Sequence, residues 1–176
     1  MDSEGGGHPI ETGSLPTDAQ KRWQDYEVGV VFHYDMTTFG DLSREESRQE
    51  VLDPQEWNPE RLDTDQWIEA AAAMGARFAI LTATHHTGFL QWQTDLYPYG
   101  LRQAPWRGGK GDLVADFVES CRTYDVDPGL YIGIRFNAYC GIYEYELTDR
   151  SRVENMGSYW RLCERLVEEL CSRYGK

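Results

Sequence analysis

Lysine is scarce in this sequence, and clustered basic residues are absent. Only Lys21, Lys110 and Lys176 occur, acidic residues outnumber lysine plus arginine by 30 to 17, and the formal net charge is −13. A protein that binds nucleic acid through the phosphate backbone needs grouped lysine and arginine. The composition therefore argues against a nucleic-acid partner.

The sequence also lacks a long apolar run, a signal peptide and paired cysteines. No apolar stretch approaches the length of a membrane span, and the N-terminal MDSEGGGHPIETG has no apolar core, so we expect a soluble, cytoplasmic protein without a membrane partner. The cysteines show no C-x-x-C spacing, which predicts neither a zinc knuckle nor a disulfide framework. We expect them to be small buried apolar residues: Cys121, Cys140, Cys163 and Cys171.

What the chain does contain is an alternation of strand and helix patterns. Residues 1–16 predict a flexible N-terminal arm, and residues 17–176 predict one domain. Continuous apolar runs predict strands buried on both faces in VGVVFHYD and RFAILTAT, and GLYIGI is predicted to be a third strand. Helical periodicity predicts helices in PTDAQKRWQDYE, DTDQWIEAAAAMGA, DLVADFVESCRTY and SYWRLCERLVEELCSRYG. Asp63 or Thr64 is a plausible N-cap of the second helix, and Gly75 is a natural stop.

Strand and helix alternate three times, which favours an α/β fold with a parallel sheet. In a (β/α)8 barrel the loops at the carboxyl ends of the strands build the site, and open doubly wound sheets follow the same rule roughly. Three βα units are only part of an eight-unit barrel. We therefore expect a fragment.

Three histidines lie at predicted strand ends: His33 after the first strand, then His85 and His86 after the second. Neighbouring strand residues point to opposite faces, so a regular strand could turn only one of the adjacent pair toward a pocket. Both histidines are therefore poorly placed to bind one metal ion. A metal-dependent barrel hydrolase that uses His33, His85 and Asp35 remains an alternative. A second alternative is that these histidines have no ligand and merely end the buried strands.

Aromatic residues concentrate in the stretches that follow the strands. Flat apolar rings suit the C–H face of a sugar, and neutral imidazoles can donate and accept hydrogen bonds to hydroxyls. Together with the histidines they favour a sugar pocket. The aromatic residues are Tyr34, Phe39, Trp57, Phe89, Trp92, Tyr97, Tyr99 and Trp106.

Five blocks in order then resemble the α-L-fucosidases of glycoside hydrolase family 29. They span roughly residues 22–176 and read VGVVFHYDMTTF, WNPERLDTDQW, ILTATHHTGFLQW, APWRGGKGDLVADFVESCRTYDVDPGLYIGI and YWRLCERLVEELCSRYG. The order and spacing of five blocks are far more specific than any single motif. Where the family usually reads K-H-H-D-G-F, this chain has THHTGF, with Thr84 and Thr87 at the departing positions.

The resemblance implies the N-terminal portion, about three βα units, of a (β/α)8-like TIM barrel. It implies an enzyme that removes α-linked L-fucose from a glycan or glycoside with retention of configuration, without metal or organic cofactor. By that analogy His33, His85 and His86 hydrogen-bond the fucose and Trp92 lies near the pocket wall. The nucleophile Asp and acid/base Glu are expected beyond Lys176, so no catalytic residue is assigned within this chain and the 176 residues alone should be inactive.

Two further readings stay open beside the fucosidase. One is the metal-dependent barrel hydrolase. The other is a non-catalytic, sugar-binding or structural remnant of the barrel, which would need partner chains to cover its sheet edges. A homo-oligomer is compatible with the sequence.

Overall fold

A computed structural model describes residues 15–175, and its centre is a three-stranded parallel sheet in the order β1–β2–β3. The predicted arm, residues 1–16, lies outside the described residues except for its last two. Each predicted strand is present at nearly the expected position, and a small antiparallel hairpin follows. The strands are β1 (Gly29–Phe32), β2 (Phe78–Thr84), β3 (Asp127–Ile132), β4 (Ile142–Tyr143) and β5 (Glu146–Leu147).

The predicted helices also form, and their ends follow from capping chemistry. The Asp63 side chain accepts from the Gln66 amide at the start of the second helix, and Gly75 takes φ +88° just beyond its end, a backbone geometry that suits glycine. Asp112 caps the third helix in the same way. The helices are α1 (Asp18–Gln24), α2 (Thr64–Ala73), α3 (Leu113–Thr123) and α4 (Met156–Tyr174).

Burial on both faces was predicted for β1 and β2, and only the central strand, β2, is buried in that way. In β2 the side chains of Leu81 and Ala83 are fully buried. The outer strands are not, since Val31 of β1 is 54% exposed and Tyr131 of β3 is 44% exposed. The expectation of burial on both faces is wrong for β1, because β1 pairs on one side only within residues 15–175.

Helix α4 packs into the core through the apolar face that its sequence predicts. Tyr159, Cys163, Leu166 and Leu170 are buried along this face. Cys121 and Cys140 are buried free thiols, but Cys171 is exposed, so the expectation of burial is wrong for that residue. No helix in residues 15–175 is long and apolar enough to cross a membrane.

Candidate functional site

The three histidines meet at one cavity, where β1 and β2 end. Each strand stops just before its histidine, at Phe32 and Thr84, so the side chains leave the sheet at its carboxyl edge. The ring centroids of His33 and His85 are 5.1 Å apart, in an edge-to-face arrangement. The cavity has a volume of about 460 Å³ and is lined by His33, Thr37, Leu42, Arg44, Ser47, His85 and His86.

The adjacent histidines stack instead of pointing to opposite faces. Their ring centroids are 3.8 Å apart and the planes differ by 20°. Strand alternation does not apply here because β2 ends at Thr84, one residue before the pair. Both rings therefore line the same cavity, which the period of a regular strand would forbid.

A buried carboxylate orients His85. The Nδ1 atom of His85 lies 3.1 Å from Oδ2 of Asp35, whose side chain is almost fully buried. The other oxygen of Asp35 accepts from the hydroxyl and the backbone amide of Thr37, at 2.6 and 3.0 Å. Burial opposes ionisation of Asp35, but the hydrogen bonds from His85 and Thr37 outweigh it and lower the pKa of the carboxyl. A carboxylate only accepts hydrogen bonds, so Nδ1 of His85 is the donor and Nε2 is left for a ligand.

His86 is held neutral by its surroundings. Burial lowers its pKa from 6.5 to about 4. Electrostatic repulsion from His85, Arg48 and Arg44 acts in the same direction. Its ring meets Phe136 edge to face, with centroids 5.0 Å apart. Nδ1 of His86 is buried and has no hydrogen-bond partner among residues 15–175. A neutral imidazole has one donor and one acceptor nitrogen, and because Nδ1 is buried, Nε2 is the nitrogen of His86 that can reach a sugar hydroxyl.

The outer wall of the cavity is a short turn that follows β1, residues 43–48. Ser43 and Glu46 bond each other reciprocally, at 2.8 and 3.2 Å, in the manner of a capping box. The Ser47 hydroxyl donates to the carbonyl of Arg44 at 2.8 Å. Sequence reasoning missed this wall, because a charged loop carries no period that shows which side chain turns inward.

The aromatic residues pack together and not around the cavity. Trp57 is fully buried, stacks on Phe89 with centroids 6.1 Å apart, and meets Trp106 at 5.1 Å. None of the eight aromatic residues predicted to face a sugar is among the residues that line the histidine cavity. Burying large rings in the core is the stronger physical demand on them.

Trp92 is not brought to the histidines. Its side chain is fully buried, and its Nε1 donates to Oε2 of Glu169 in α4 at 3.0 Å. This contact crosses 77 residues of chain, so nothing local in the sequence signals it. In the described part of the chain, Trp92 joins the loop after β2 to α4.

The described residues do not assemble a metal centre. Among residues 15–175 no group of three or more histidine, cysteine, aspartate or glutamate side chains is placed to hold a metal ion. Asp35, the acid of the metal hypothesis, is already bonded to His85 and Thr37. The geometry gives the metal-dependent reading no support.

Fold and site together define an α/β protein with a polar cavity at the carboxyl edge of a parallel sheet, the place where such folds bind ligands. A family model described as alpha-L-fucosidase matches residues 17–176. The chain belongs to the α-L-fucosidase family, as its sequence blocks predicted.

Individual relatives agree with this membership. Alpha-L-fucosidase 1 of Arabidopsis thaliana is 32% identical over 125 residues, which cover 71% of this chain and 24% of the relative. A crystal structure from Bacteroides thetaiotaomicron, described as a "putative alpha-L-fucosidase", is 46% identical with a TM-score of 0.86, covering 92% of this chain and 38% of that one. A glycoside hydrolase 29 family member from an unknown rumen bacterium is 28% identical with a TM-score of 0.73, covering 92% and 26%. The chain spans about a quarter of the length of the curated plant relatives it matches.

Proposed function

We propose that this chain is the N-terminal part of a (β/α)8-like catalytic barrel in a retaining α-L-fucosidase-like hydrolase. The enzyme would cleave α-linked L-fucose from glycans or glycosides. Three parallel strands, each followed by a helix, support the barrel assignment, since this is the repeating unit of that fold. The observation that carries the proposal is the convergence of His33, His85 and His86 on one cavity at the carboxyl edge of the sheet.

The cavity offers the chemistry that a sugar needs for binding. His85 is fixed through Asp35 and presents its Nε2, while His86 is neutral and His33 is exposed at the rim. Hydroxyl groups both donate and accept hydrogen bonds, so a set of neutral or oriented imidazoles can bind several of them at once. Rigid placement of these rings would hold the sugar for attack at its anomeric carbon.

The carboxylates of the reaction are expected beyond residue 176. Retaining hydrolysis needs two carboxyl groups about 5 Å apart, one as nucleophile and one as acid/base. No carboxylate is among the residues that line the cavity, and Asp35 behind it is occupied by His85 and Thr37. The chain's own residues therefore supply binding and orientation, not bond cleavage.

The test compares the product of the whole reading frame with the 176-residue chain on an aryl α-L-fucoside. The whole product should release the aryl group and form α-L-fucose first, as proton NMR of the fresh product would show. The 176-residue chain should release none. Cleavage by that chain would contradict the assignment of the carboxylates to later residues.

Single substitutions in the whole product sharpen the test. H85N removes the imidazole ring that Asp35 orients in the cavity. We expect kcat/KM to fall about 10- to 100-fold. R122Q changes an exposed arginine on α3 that pairs only with Glu119 in the described residues, and it should leave the rate unchanged. If the whole product bound fucose but never cleaved a fucoside, a non-catalytic sugar-binding function would replace hydrolysis as the proposed function.

A further inference from the structure

Arg44 brings a positive charge to the cavity wall in a strongly acidic protein. The formal net charge of the chain is −13, yet the lining of this cavity contains a guanidinium and three imidazoles and no carboxylate. Arginine is the side chain best shaped to bind a planar or tetrahedral oxyanion through two parallel hydrogen bonds. The guanidinium thus places a positive charge in the lining itself, while the ionised Asp35 lies behind His85.

The two acids next to Arg44 are turned to other partners. Glu45 accepts from the Tyr143 hydroxyl at 2.7 Å and pairs with Arg48 at 2.5 Å. Glu46 accepts from the Ser43 amide. Neither carboxylate therefore neutralises Arg44, and among residues 15–175 Arg44 forms no ion pair.

The backbone of Arg44 is held in place, although its side chain forms no ion pair within residues 15–175. The Ser47 hydroxyl donates to the Arg44 carbonyl, and Ser47 itself is almost fully buried. The turn is also tied to the β4–β5 hairpin, since Glu45 accepts from the Tyr143 hydroxyl, and Arg48 lies 4.4 Å over the ring of Phe136 in the loop before that hairpin. A preorganised turn with an unpaired guanidinium needs little rearrangement to accept an anion.

The guanidinium groups lie close enough to His86 to act on its ring. Arg48 and Arg44 add to the lowering of the His86 pKa that burial begins. His86 and Arg44 line the same cavity. A ligand seated against the neutral ring of His86 would therefore come within the field of Arg44.

We propose that this cavity selects a fucoside that carries an oxyanion, and that Arg44 is the residue that pairs with it. The oxyanion is either a sulfate ester on the fucose or the carboxylate of an adjoining sugar. This inference rests on the proposed function, because the histidines must first hold a fucose. Arg44 would then determine specificity without taking part in bond cleavage.

The test measures affinity by calorimetry with the product of the whole reading frame. The probes are methyl α-L-fucoside, its monosulfate esters, a fucosyl disaccharide that ends in glucuronic acid, and inorganic sulfate. At least one anionic probe should bind about three- to tenfold more tightly than the neutral fucoside at low salt, the size expected for one charge-assisted bond at a partly exposed site. The advantage should shrink as salt rises. The monosulfates and the disaccharide distinguish the two sources of the oxyanion.

Substitution of Arg44 gives the decisive comparison. R44Q should bring the ratio of anionic to neutral affinity to about one, R44K should keep part of it, and R122Q should keep all of it. Equal affinity for anionic and neutral fucosides in the parent protein would overturn this inference and leave the proposed function standing. Inorganic sulfate binding as tightly as a sulfated fucoside would also overturn it. If no fucoside bound at all, the proposed function and the inference would both fall.

Discussion

Two concave surfaces on the same sheet differ sharply in chemistry. The histidine cavity at the carboxyl edge of β1 and β2 is lined almost wholly by polar or ionisable side chains. A groove of about 400 Å³ between β3, α3 and α4 has no charged residue in its lining, which consists of Val118, Pro128, Leu130, Ile132, Val167, Leu170, Cys171, Tyr174 and Gly175. The first surface suits a hydroxylated ligand, and the second suits further packing of protein.

The difference follows from where each surface lies on a parallel sheet. Polar loop residues follow the strand ends, so groups that can bind a ligand lie together at the carboxyl edge of the sheet. The side of a strand between two helices collects the apolar residues of both. Substitutions on the two surfaces should therefore change different quantities: stability at the groove, and ligand affinity or pH dependence at the cavity.

The largest expected effect is on stability at the groove. L170A removes a buried side chain of α4 that also contacts the core, and we expect a loss of about 2 to 5 kcal/mol in the free energy of unfolding. V167A changes a 45% exposed residue of the same groove and should cost less than about 1 kcal/mol. Denaturant unfolding measures both. Equal losses would contradict the assignment of Leu170 to the core and of Val167 to the exposed part of the groove.

The next effect is a pH dependence centred on His86. Its pKa is lowered from 6.5 to about 4 on folding, so the unfolded chain binds more protons between these values. The free energy of unfolding should therefore rise as pH increases from 4 to 6.5, by up to about 3 kcal/mol from this ring, and stay level above that range. The measurement is the difference between parent and H86Q across pH 4 to 8. A difference that does not change with pH would show that His86 is not held neutral by its surroundings.

A smaller effect is expected at the carboxylate behind the cavity. D35N replaces an acceptor-only group by an amide, which cannot accept from both His85 and Thr37 as the carboxylate does. We expect a loss of about 1 to 3 kcal/mol in unfolding free energy and weaker fucoside binding. D53N is the matched control, because Asp53 is exposed and caps a turn at Gln55 that asparagine can also cap. Unchanged fucoside binding by D35N would show that Asp35 is not needed to position the residues of the site.

The smallest effect is expected where the turn meets the hairpin. Y143F removes the hydroxyl that donates to Glu45 and leaves the ring against Phe136 in place. The anionic preference should fall by less than about threefold, because Arg48 and Ser47 still hold the turn. Calorimetry with the monosulfate esters measures it. A loss as large as that in R44Q would mean that the hairpin, not the turn itself, places Arg44.

Local features of this fold are predictable from the sequence, whereas contacts between distant segments are not. The strand and helix positions, the Asp63 cap, the Gly75 stop and the buried face of α4 are all confirmed. Local signals suffice for these because each depends on residues within one or two turns of chain. The placement of Trp92 near the pocket and the burial of β1 were also expected, and the structure does not show them.

The sequence by itself determined the alternation of strands and helices, the arrival of His33, His85 and His86 at strand ends, and membership of the α-L-fucosidase family. Only the tertiary structure decided that His85 and His86 stack, that Glu45 turns to Tyr143 across 98 residues, and that Arg44 is left unpaired at the cavity among the described residues. The periodicity of strands and helices and the capping of helices depend on neighbouring residues, and the sequence blocks identify the family. Which side chain faces which across a sheet edge depends on loops that pack from distant parts of the chain.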